Sequence, residues 1–506
     1  MKSGNSLPDA ERTKQFIDAL WRPDGADTSP VLRRLMDFVR IPNLSPAYER
    51  DWAATGHADA AAELLARSVA ELAAHWTDRG LPCGDISVEI LGGRAAPLHD
   101  PAGARRTPAL LAEIPAHGEY AGRDTVLIYG HMDKQPEMKP WSAGLGPRSP
   151  VARDGKLYGR GAADDGYALF SALCALAALR EQGCAHARVL LLVEGREESD
   201  GEDIAYYLNT LEKRLGAVSL ITCLDSGAGD YQRLWLTTSL RGLVGGVLEI
   251  SVLDGPVHSG AASGIVPSPL RVLRILLSRL EDEKNGMIKP SAFRTAIPKD
   301  VRLEAKKAAA VLGAGVYSHF PFVAGACPVE VDGARLLLNR SWRSRLSIVG
   351  LSGFPEARGA GNVTLPRLEA KLSLRLPPTL DCRQAADALK TLLEADPPYG
   401  VRVGFNAEAC MAGWRAPGQS AWLRGAVNRA SRTFFGNQAA SFGEGGSIDF
   451  MRTLSQACPH AQMLVTGVLG PHSNAHGADE SLDLNAAGKL SMCLAHILAA
   501  HAHRAA

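Results

Sequence analysis

The sequence predicts an α/β protein: a larger domain with a sheet layered by helices, interrupted by a smaller, ferredoxin-like α+β domain. Short apolar runs typical of buried strands alternate with long helical stretches in the first 240 residues and again near the end of the chain. From about residue 241 the order becomes strand, helix, strand, strand, helix and strand, as in a ferredoxin-like unit. Because 506 residues are too many for one ordinary core, two or three domains are expected.

The larger domain is predicted over residues 1–240 and 413–506. Helices are predicted at 58–76 and at 168–182, where Gly183 is a stop signal. The strands come from four apolar runs bounded by turn residues: VLIY at 126–129, VLLLV at 189–193, SLITCL at 219–224 and MLVTGV at 463–468.

The inserted domain is predicted over residues 241–412 and is a candidate lid. A further segment at about 284–343 separates its first helix from its second strand. The predicted elements are strand 246–252, helix 269–280, strands near 345–350 and 368–376, helix 385–395 and strand 401–405.

Composition favours a small-molecule partner. The 55 Lys and Arg residues nearly balance 54 Asp and Glu, so nothing favours nucleic acid or an anionic membrane as a partner. The nine cysteines are scattered and form no C-x-x-C pair, which suits reduced thiols. No apolar stretch near the N-terminus could serve as a signal peptide, and none approaches the length of a membrane span, so a cytoplasmic location is expected.

Polar clusters follow the predicted strands, at the place where open α/β sheets bind ligands. His131 and Asp133 follow the first run; alternate residues of an extended chain share a face, so Asp133 can orient a metal-binding His131. Glu197 and Glu198 follow the second run, where one can bind a metal while the other activates its water. Asp225 follows the third run.

Two further clusters complete the set. Asp164 and Asp165 precede the helix at 168–182, and His476 lies in the segment PHSNAHGADE. Each cluster alone has a structural explanation, because a carboxylate pair can cap a helix and a lone Asp or His is usually structural. As a set, the nitrogen and oxygen ligands suit zinc, with cobalt or manganese as alternatives, and a shared Asp is the usual bridge between two ions.

The motifs extend, in order, over nearly the whole chain. They are GHMDKQP followed by Trp141, DGKLYGRGAADD, EGREESDGED, CLDSG, LRGL with HSG, NVTLP with LRL, EGGSI and HGADE. This series resembles the zinc aminoacylase, carboxypeptidase and dipeptidase family that includes carnosinase and succinyl-diaminopimelate desuccinylase, and its carnosinase-like dipeptidase branch is the most similar. The resemblance implies a di-zinc exopeptidase-like catalytic domain, with a mixed sheet between helices, and an inserted lid and dimerisation domain.

The resemblance also implies the ligands of two zinc ions. His131 and Asp225 would be terminal ligands of one ion, and Glu198 and His476 those of the other. Asp164 would bridge the two ions.

Further roles follow from the same resemblance. Glu197 would be the general base, Asp133 would orient His131, and the peptide between Asp164 and Asp165 would be cis.

Four residues in and after the inserted domain are implied to contact the substrate. His258 would reach the active site of the other subunit and stabilise the oxyanion. Asn362 and Arg375 would bind the substrate carboxylate and carbonyl, and Ser447 would contact its C-terminal end. Without the resemblance, a loop histidine, a turn asparagine and a solvated strand arginine would explain the first three equally well.

Two positions depart from the family pattern. Gly166 stands where Lys is usual, and Asp479 stands where Asn is usual, which leaves the substrate class open. The second departure leaves His472 as an alternative to His476, although the H-x-x-[N/D]-E spacing favours His476.

The predicted activity is hydrolysis of dipeptides with a free C-terminal carboxylate by a homodimeric zinc hydrolase. The alternative is an N-acyl-amino-acid deacylase or carbamoylase with the same site, which would not need a free α-amino group. An inactive relative serving as a binding protein would have lost a ligand or the base, and here every expected position is filled.

Overall fold

The computed structural model describes residues 7–21, 29–94, 105–120, 122–199, 201–446 and 449–504. Contacts divide the chain into two compact units. Unit 1 comprises Met1–Thr237, Ala416–Ser441 and Thr453–Ala506, and unit 2 comprises Thr238–Arg415 and Phe442–Arg452. Unit 2 therefore includes a short segment that lies within the predicted second part of the larger domain.

The helices of the described residues include all four helices predicted from the sequence, here α4, α5, α8 and α11. In chain order they are α1 (Ala10–Trp21), α2 (Pro30–Arg40), α3 (Trp52–Thr55), α4 (His57–Asp78), α5 (Tyr167–Glu181), α6 (Glu202–Leu215), α7 (Ser259–Ala262), α8 (Pro269–Leu280), α9 (Lys299–Leu312), α10 (Gly333–Ser341), α11 (Cys382–Glu394), α12 (Ala421–Phe435), α13 (Asp449–Ala457) and α14 (Leu484–Ala502).

The strands of the described residues include every strand predicted from the sequence. In chain order they are β1 (Ser87–Leu91), β2 (Ala109–Ile114), β3 (Thr125–His131), β4 (Val151–Arg153), β5 (Lys156–Tyr158), β6 (Arg188–Glu194), β7 (Val218–Cys223), β8 (Trp235–Leu240), β9 (Gly242–Ser251), β10 (Val257–His258), β11 (Arg345–Ser352), β12 (Val363–Thr364), β13 (Arg367–Leu376), β14 (Arg402–Met411), β15 (Trp414–Arg415), β16 (Ala440–Glu444), β17 (Gln462–Val465) and β18 (Ser481–Asp483).

Unit 1 is built on a six-stranded mixed sheet in the order β1-β2-β6-β3-β7-β17. The strands β6, β3, β7 and β17 are parallel to one another, and β1 and β2 extend the sheet in antiparallel pairs at one edge. The four parallel strands are the four predicted apolar runs, and they are buried along most of their length, as parallel strands usually are. Parallel strands end at one edge, so the segments after β3, β6 and β7 meet there.

Helix α5 is the central core helix of unit 1. It is apolar on nearly every side, and all of its residues except Glu181 are buried. The expectation that no stretch approaches the length of a membrane span is wrong at one place among the described residues: 162–181 are long and apolar enough by length and composition, and the apolar window within them is buried in the structure. The helix packs against α14 and α1.

Unit 2 contains a four-stranded antiparallel sheet in the order β11-β13-β9-β14. With α8 after β9 and α11 after β13, it has the predicted β-α-β-β-α-β order. Burial alternates along β13, and its apolar side chains pack in one cluster with those of α8 and α11. Helices α9 and α10 form part of the predicted extra segment at 284–343.

The expectation that all nine cysteines are reduced is wrong for one pair. Cys382 at the start of α11 and Cys410 near the end of β14 form a disulfide, with their Cα atoms 5.5 Å apart. The sequence carries no signal for this pair, because the two residues are 28 positions apart and meet only when α11 packs on β14. The other seven cysteines are free thiols.

Candidate metal centre

The edge of the unit 1 sheet at which the parallel strands end gathers the five predicted ligands. His131 is the last residue of β3, and Glu198 and Asp225 lie in the segments that follow β6 and β7. Asp164 comes from the turn before α5, and His476 from the loop between β17 and β18. Residues far apart in the chain therefore meet because their strands run in the same direction.

Asp164 lies at the middle of this cluster. One of its carboxylate oxygens is 3.3 Å from Nε2 of His131, and the other is 3.0 Å from Nε2 of His476. Asp225 Oδ2 is 3.7 Å from the same His131 nitrogen, and Glu198 Oε1 is 3.2 Å from the His476 nitrogen. Each histidine thus has a carboxylate of its own and shares Asp164 with the other histidine.

Two overlapping sets of side chains have the spacing of metal ligands. The ligand atoms of His131, Asp164 and Glu198 lie within 4.8 Å of one another, and so do those of His131, Glu197 and Asp225. Glu197 and Glu198 are consecutive, yet they belong to different sets. The two side chains therefore diverge, as the sequence predicts, and each lies at the spacing of a metal ligand.

Asp133 positions three residues of the cluster. Nδ1 of His131 is 3.1 Å from the carbonyl oxygen of Asp133 and 3.5 Å from its carboxylate. That carboxylate accepts the backbone N–H groups of Glu197 at 3.1 Å and Glu198 at 3.0 Å. The nearer acceptor for His131 is therefore the backbone of Asp133 rather than the predicted side chain, while the side chain holds the two glutamates.

Burial and crowding shift the pKa values of the cluster. Burial raises the pKa of Glu197 well above its usual range and that of Asp225 to about 7. Burial alone would raise the pKa of Asp164, but the two histidines hold it well below its usual value. Burial alone would lower the pKa of His476, but Asp164 and Glu198 raise it to about 11. The cluster has more buried carboxylates than cations to stabilise them.

The donor set fits divalent metal ions. Glu198 Oε1 is buried and accepts no hydrogen bond of good geometry; its neighbour is Nε2 of His476, its predicted co-ligand, at 3.2 Å, whereas Oε2 accepts a hydrogen bond from Gln135 at 2.6 Å. A buried carboxylate oxygen without a donor is costly unless a cation partners it. Imidazole nitrogens together with carboxylate oxygens are the ligands of zinc, and cobalt and manganese also accept them.

Glu480 is a site residue that the sequence reasoning missed, although the HGADE motif contains it. It is fully buried, forms an ion pair with Arg160, and accepts the backbone N–H groups of Gly161, Ala163 and Asp164 at 3.0, 3.2 and 3.3 Å. Burial raises the pKa of Glu480 to about 7. Glu480 therefore holds the turn that presents Asp164. The available sequence signal was Arg160 in the motif DGKLYGRGAADD and Glu480, to which no role was assigned, in the motif HGADE.

The turn before α5 explains the first departure from the family pattern. The peptide between Asp164 and Asp165 is cis, as predicted. A Cβ atom at Gly166 would lie 2.5 Å from the carbonyl oxygen of Gly161 and 2.5 Å from the ring of Phe38, so no side chain fits there. A lysine at this position has no room.

A buried lysine from another segment lies beside the same turn. Gly161 has a φ of +82°, and a Cβ atom there would lie 2.5 Å from Cε of Lys134. The Lys134 ammonium donates to the carbonyl oxygens of Phe38 at 2.8 Å and Ile41 at 2.7 Å. The space beside the turn is therefore filled by Lys134 rather than by a residue at 166.

The second departure lies in the loop that carries His476. Asp479 accepts the backbone N–H of Ser142 at 2.8 Å and its hydroxyl, so its carboxylate anchors this loop. His476 Nε2 lies 3.0 Å from Asp164, which supports His476 over the alternative, His472.

The three predicted substrate-binding residues that the structure describes lie in unit 2. His258 is in β10, which pairs with β12, and Asn362 directly precedes β12. The Asn362 carbonyl accepts the Ser259 N–H at 3.0 Å. Arg375 is half-buried in β13, and burial lowers its pKa. The fourth residue, Ser447, lies outside the described residues.

Two histidines that share an aspartate, with glutamates beside them, at the end of a parallel sheet are the features of a metal-dependent hydrolase. Residues 127–500 match the model of peptidase family M20/M25/M40. The chain belongs to this family and is a metallopeptidase.

Curated relatives match most of the chain. The cysteinylglycine-S-conjugate dipeptidase of Corynebacterium striatum is 29% identical over 371 residues, which are 71% of this chain and 77% of that protein. The human beta-Ala-His dipeptidase is 25% identical over 391 residues, 74% of each chain. The Cys-Gly metallodipeptidase dug1 of Schizosaccharomyces pombe is 24% identical over 490 residues, 93% of this chain and 95% of that one.

Solved structures share the fold. The dipeptidase Dug1p of Saccharomyces cerevisiae has a TM-score of 0.69 at 21% identity and covers 97% of this chain and 98% of its own. Human carnosine dipeptidase 1 has a TM-score of 0.69 at 20% identity and covers 98% of this chain and 99% of its own. The family and the mixed α/β fold predicted from the motifs are confirmed.

Proposed function

We propose that this metallopeptidase is a dipeptidase that hydrolyses the amide bond of dipeptides with a free C-terminal carboxylate. The observation that carries the proposal is the position of Asp164 between His131 and His476, with a second carboxylate beside each histidine. The relatives described above are dipeptidases by name, which supports a dipeptide rather than an N-acyl amino acid as the substrate.

His131 and Asp225 would hold one metal ion, Glu198 and His476 the other, and Asp164 both. We propose zinc, and the same donors accept cobalt or manganese. When bound, such ions polarise the substrate carbonyl and lower the pKa of water.

Glu197 acts as the general base in this proposal. It takes a proton from the attacking water and returns it to the leaving amine. Burial raises its pKa above that of an ordinary glutamate, which suits a group that must accept and then release a proton. Asp133 holds the Glu197 backbone and so keeps this carboxylate in place.

Four residues would bind the substrate. The planar guanidinium of Arg375 is shaped for a carboxylate, and Asn362 and Ser447 would assist it. His258 of the partner subunit would stabilise the oxyanion that forms at the carbonyl carbon. The inserted domain would then act as a lid that excludes water from the reaction.

We further propose that the enzyme is a homodimer located in the cytoplasm. The edge strand β11 supports a dimer, because it exposes Ile348, Val349 and Leu351 at 46%, 62% and 51%. An apolar edge strand is a ready surface for pairing with another chain. The seven free thiols support the location, whereas the Cys382–Cys410 disulfide does not.

The test is amine release from dipeptides, including β-alanyl-histidine and cysteinyl-glycine, beside N-acetyl, N-succinyl and N-carbamoyl amino acids. Each substrate is assayed with added zinc and with a chelator. We expect cleavage of dipeptides that the chelator abolishes. Cleavage of acylated amino acids alone would move the function to the deacylase class, and dipeptide cleavage insensitive to chelation would refute the metal site.

A further inference from the structure

A basic pocket of about 650 Å³ lies within unit 2, in the segment for which the sequence indicates no role. Its lining residues come from α9, α10, the segments after α8 and before α10, and the junction between α10 and β11. Concave surfaces with an excess of one charge concentrate ligands of the opposite charge. The cationic lining residues are Arg302, Lys306, Arg335, Arg343 and Arg345, and the acidic ones are Glu330 and Asp332.

The sequence places these cations on one surface by simple spacing. Arg302 and Lys306 are one helical turn apart in α9, so they share a face. Arg343 and Arg345 are two apart where α10 gives way to β11, and both are half-buried. Helix α9 and the junction between α10 and β11 therefore each contribute a pair of cations to the same pocket.

Most of this charge is not neutralised within the chain. Arg302, Arg343 and Arg345 donate to neutral acceptors: the Ile297 carbonyl at 3.2 Å, Asn339 Oδ1 at 2.9 Å and the Gly286 carbonyl at 2.5 Å. Over the described ranges, no carboxylate oxygen lies within 4.0 Å of the charged nitrogens of these three arginines.

Among the lining cations, Arg335 is the exception. It forms an ion pair of 3.2 Å with Glu330 and lies 3.9 Å from Asp332. Burial lowers the pKa of Arg343, and the charges of Arg302 and Arg335 add to the effect. The charged groups around Arg343 are therefore net positive, although Glu330 and Asp332 line the same pocket.

An adjoining cavity of about 190 Å³ shares Arg302 and Arg343 with the pocket. It adds a third arginine, Arg294, and Thr295, whose buried Oγ1 has no hydrogen-bond partner. A buried hydroxyl without a partner is uncommon in a folded protein, and a bound oxyanion would supply an acceptor for it.

We propose that this pocket binds a small, multiply charged oxyanion, carried by either phosphate or carboxylate groups, through Arg302, Lys306 and Arg343. The planar guanidinium groups match the oxygen pairs of both group types. The volume is within the usual range for a small-molecule site. The proposal does not depend on the metal centre or on the proposed peptidase activity.

The test is isothermal titration calorimetry of the full-length, metal-loaded protein with inorganic phosphate and, separately, with succinate. We expect saturable binding that weakens about tenfold or more in the double variant Arg302→Gln/Lys306→Gln, since losing the two charge-assisted contacts together should cost about 1.4 kcal/mol or more. Both residues are exposed on one helix, so folding should be unaffected. The single variant Arg343→Gln should weaken binding as well.

The matched control is Arg271→Gln/Arg274→Gln, which removes two exposed charges from α8 in the same unit. It should bind like the wild type. The anion that binds more tightly shows whether the natural ligand carries phosphate groups, like inorganic phosphate, or carboxylate groups, like succinate. Three outcomes would overturn the proposal: no saturable binding of either anion, equal weakening in the control, or unchanged binding in both pocket variants.

Discussion

Asp164 depends on a residue 316 positions away in the chain. Glu480 holds the turn from Gly161 to Asp164 through three backbone N–H groups, and Arg160 balances its charge. Both members of this ion pair are buried, so removing either one leaves an unpaired buried charge, at a cost of roughly 3–5 kcal/mol. The geometry of the metal centre thus depends on this pair as well as on the ligands.

Buried His186 predicts a loss of stability in acid. Its Nε2 accepts from Arg180 at 3.1 Å, and Nδ1 lies 2.7 Å from the Ala187 carbonyl, so the neutral form is favoured. Burial lowers its pKa from 6.5 to about 3. As the pH falls, His186 therefore binds a proton in the unfolded chain at a higher pH than in the folded chain. The contribution of neutral His186 to the free energy of unfolding is fully present above about pH 6.5. It is lost as the pH falls towards 3, by up to about 1.4 kcal/mol per pH unit.

The measurement is urea unfolding of metal-depleted protein at pH 7 and pH 5. The variant His186→Gln should lose less stability on acidification than the wild type, by up to about 2 kcal/mol. His460→Gln, which changes an exposed histidine, should follow the wild type. Equal losses in all three proteins would show that His186 does not titrate in this way.

Residues at strand ends were predictable, and their partners were not. His131, Glu198 and Asp225 each follow an apolar run, so the sequence could place them at one sheet edge before the structure was known. Glu480 could not be assigned, because its role depends on which loop folds onto which turn. The roles of the ligands and of Glu197 stay proposals, although the structure brings these side chains together.

At the scale of elements, the turn before α5 is tightly packed around Gly166. Gly166 has ordinary helical φ and ψ of −54° and −27°, so its constraint is space rather than backbone conformation. Gly161 O and the Phe38 ring occupy the positions that a side chain would need. In this chain the turn that carries Asp164 and Asp165 therefore leaves no room for a side chain at residue 166.

Replacing Gly166 by alanine should destabilise the protein by about 1–3 kcal/mol, since a buried methyl group must displace backbone or ring atoms. It should also lower metal content, because the same turn presents Asp164. Gly418→Ala is the control, because nothing lies within 4 Å of a Cβ atom there. Chemical unfolding and metal analysis of both variants give the result. A fully stable, fully metal-loaded Gly166→Ala protein would contradict the packing argument.

The element predictions succeeded where patterns were strong. The four parallel strands and helices α4, α5, α8 and α11 have long apolar patterns, and all were predicted. Strand β1 is half-exposed along its length and has no such pattern, and its pairing with β2 determines its conformation. The disulfide between Cys382 and Cys410 was missed for a similar reason, since tertiary packing alone brings the two residues together.

At the scale of the whole molecule, the chain interrupts a six-stranded mixed sheet with a four-stranded antiparallel one. The change of strand order near residue 241 was visible in the sequence. The assignment of residues 442–452 to unit 2 was not, because it depends on long-range contacts. How many chains assemble, and whether His258 acts on a partner, are also properties of the whole molecule.

Subunit exchange tests the proposed role of His258. His258→Ala and Glu197→Gln proteins should each be nearly inactive, and their heterodimers should contain one intact site. Random exchange makes half of the dimers heterodimers, so activity should recover to about a quarter of the wild-type value. As a control, His258→Ala mixed with a protein carrying both substitutions should recover nothing. Failure to recover activity, with exchange verified, would argue for a monomer or for His258 acting within its own chain.

The most direct test of the two-metal dipeptidase is the substitution Glu197→Gln, with metal content and dipeptide turnover measured on the same sample. The account predicts that both ions stay bound and that turnover falls by about 10²–10⁴, because the base is lost while all five ligands remain. Glu198→Gln, which changes the neighbouring carboxylate, should instead lose metal. Loss of metal in Glu197→Gln equal to that in Glu198→Gln, or unchanged turnover, would contradict the account.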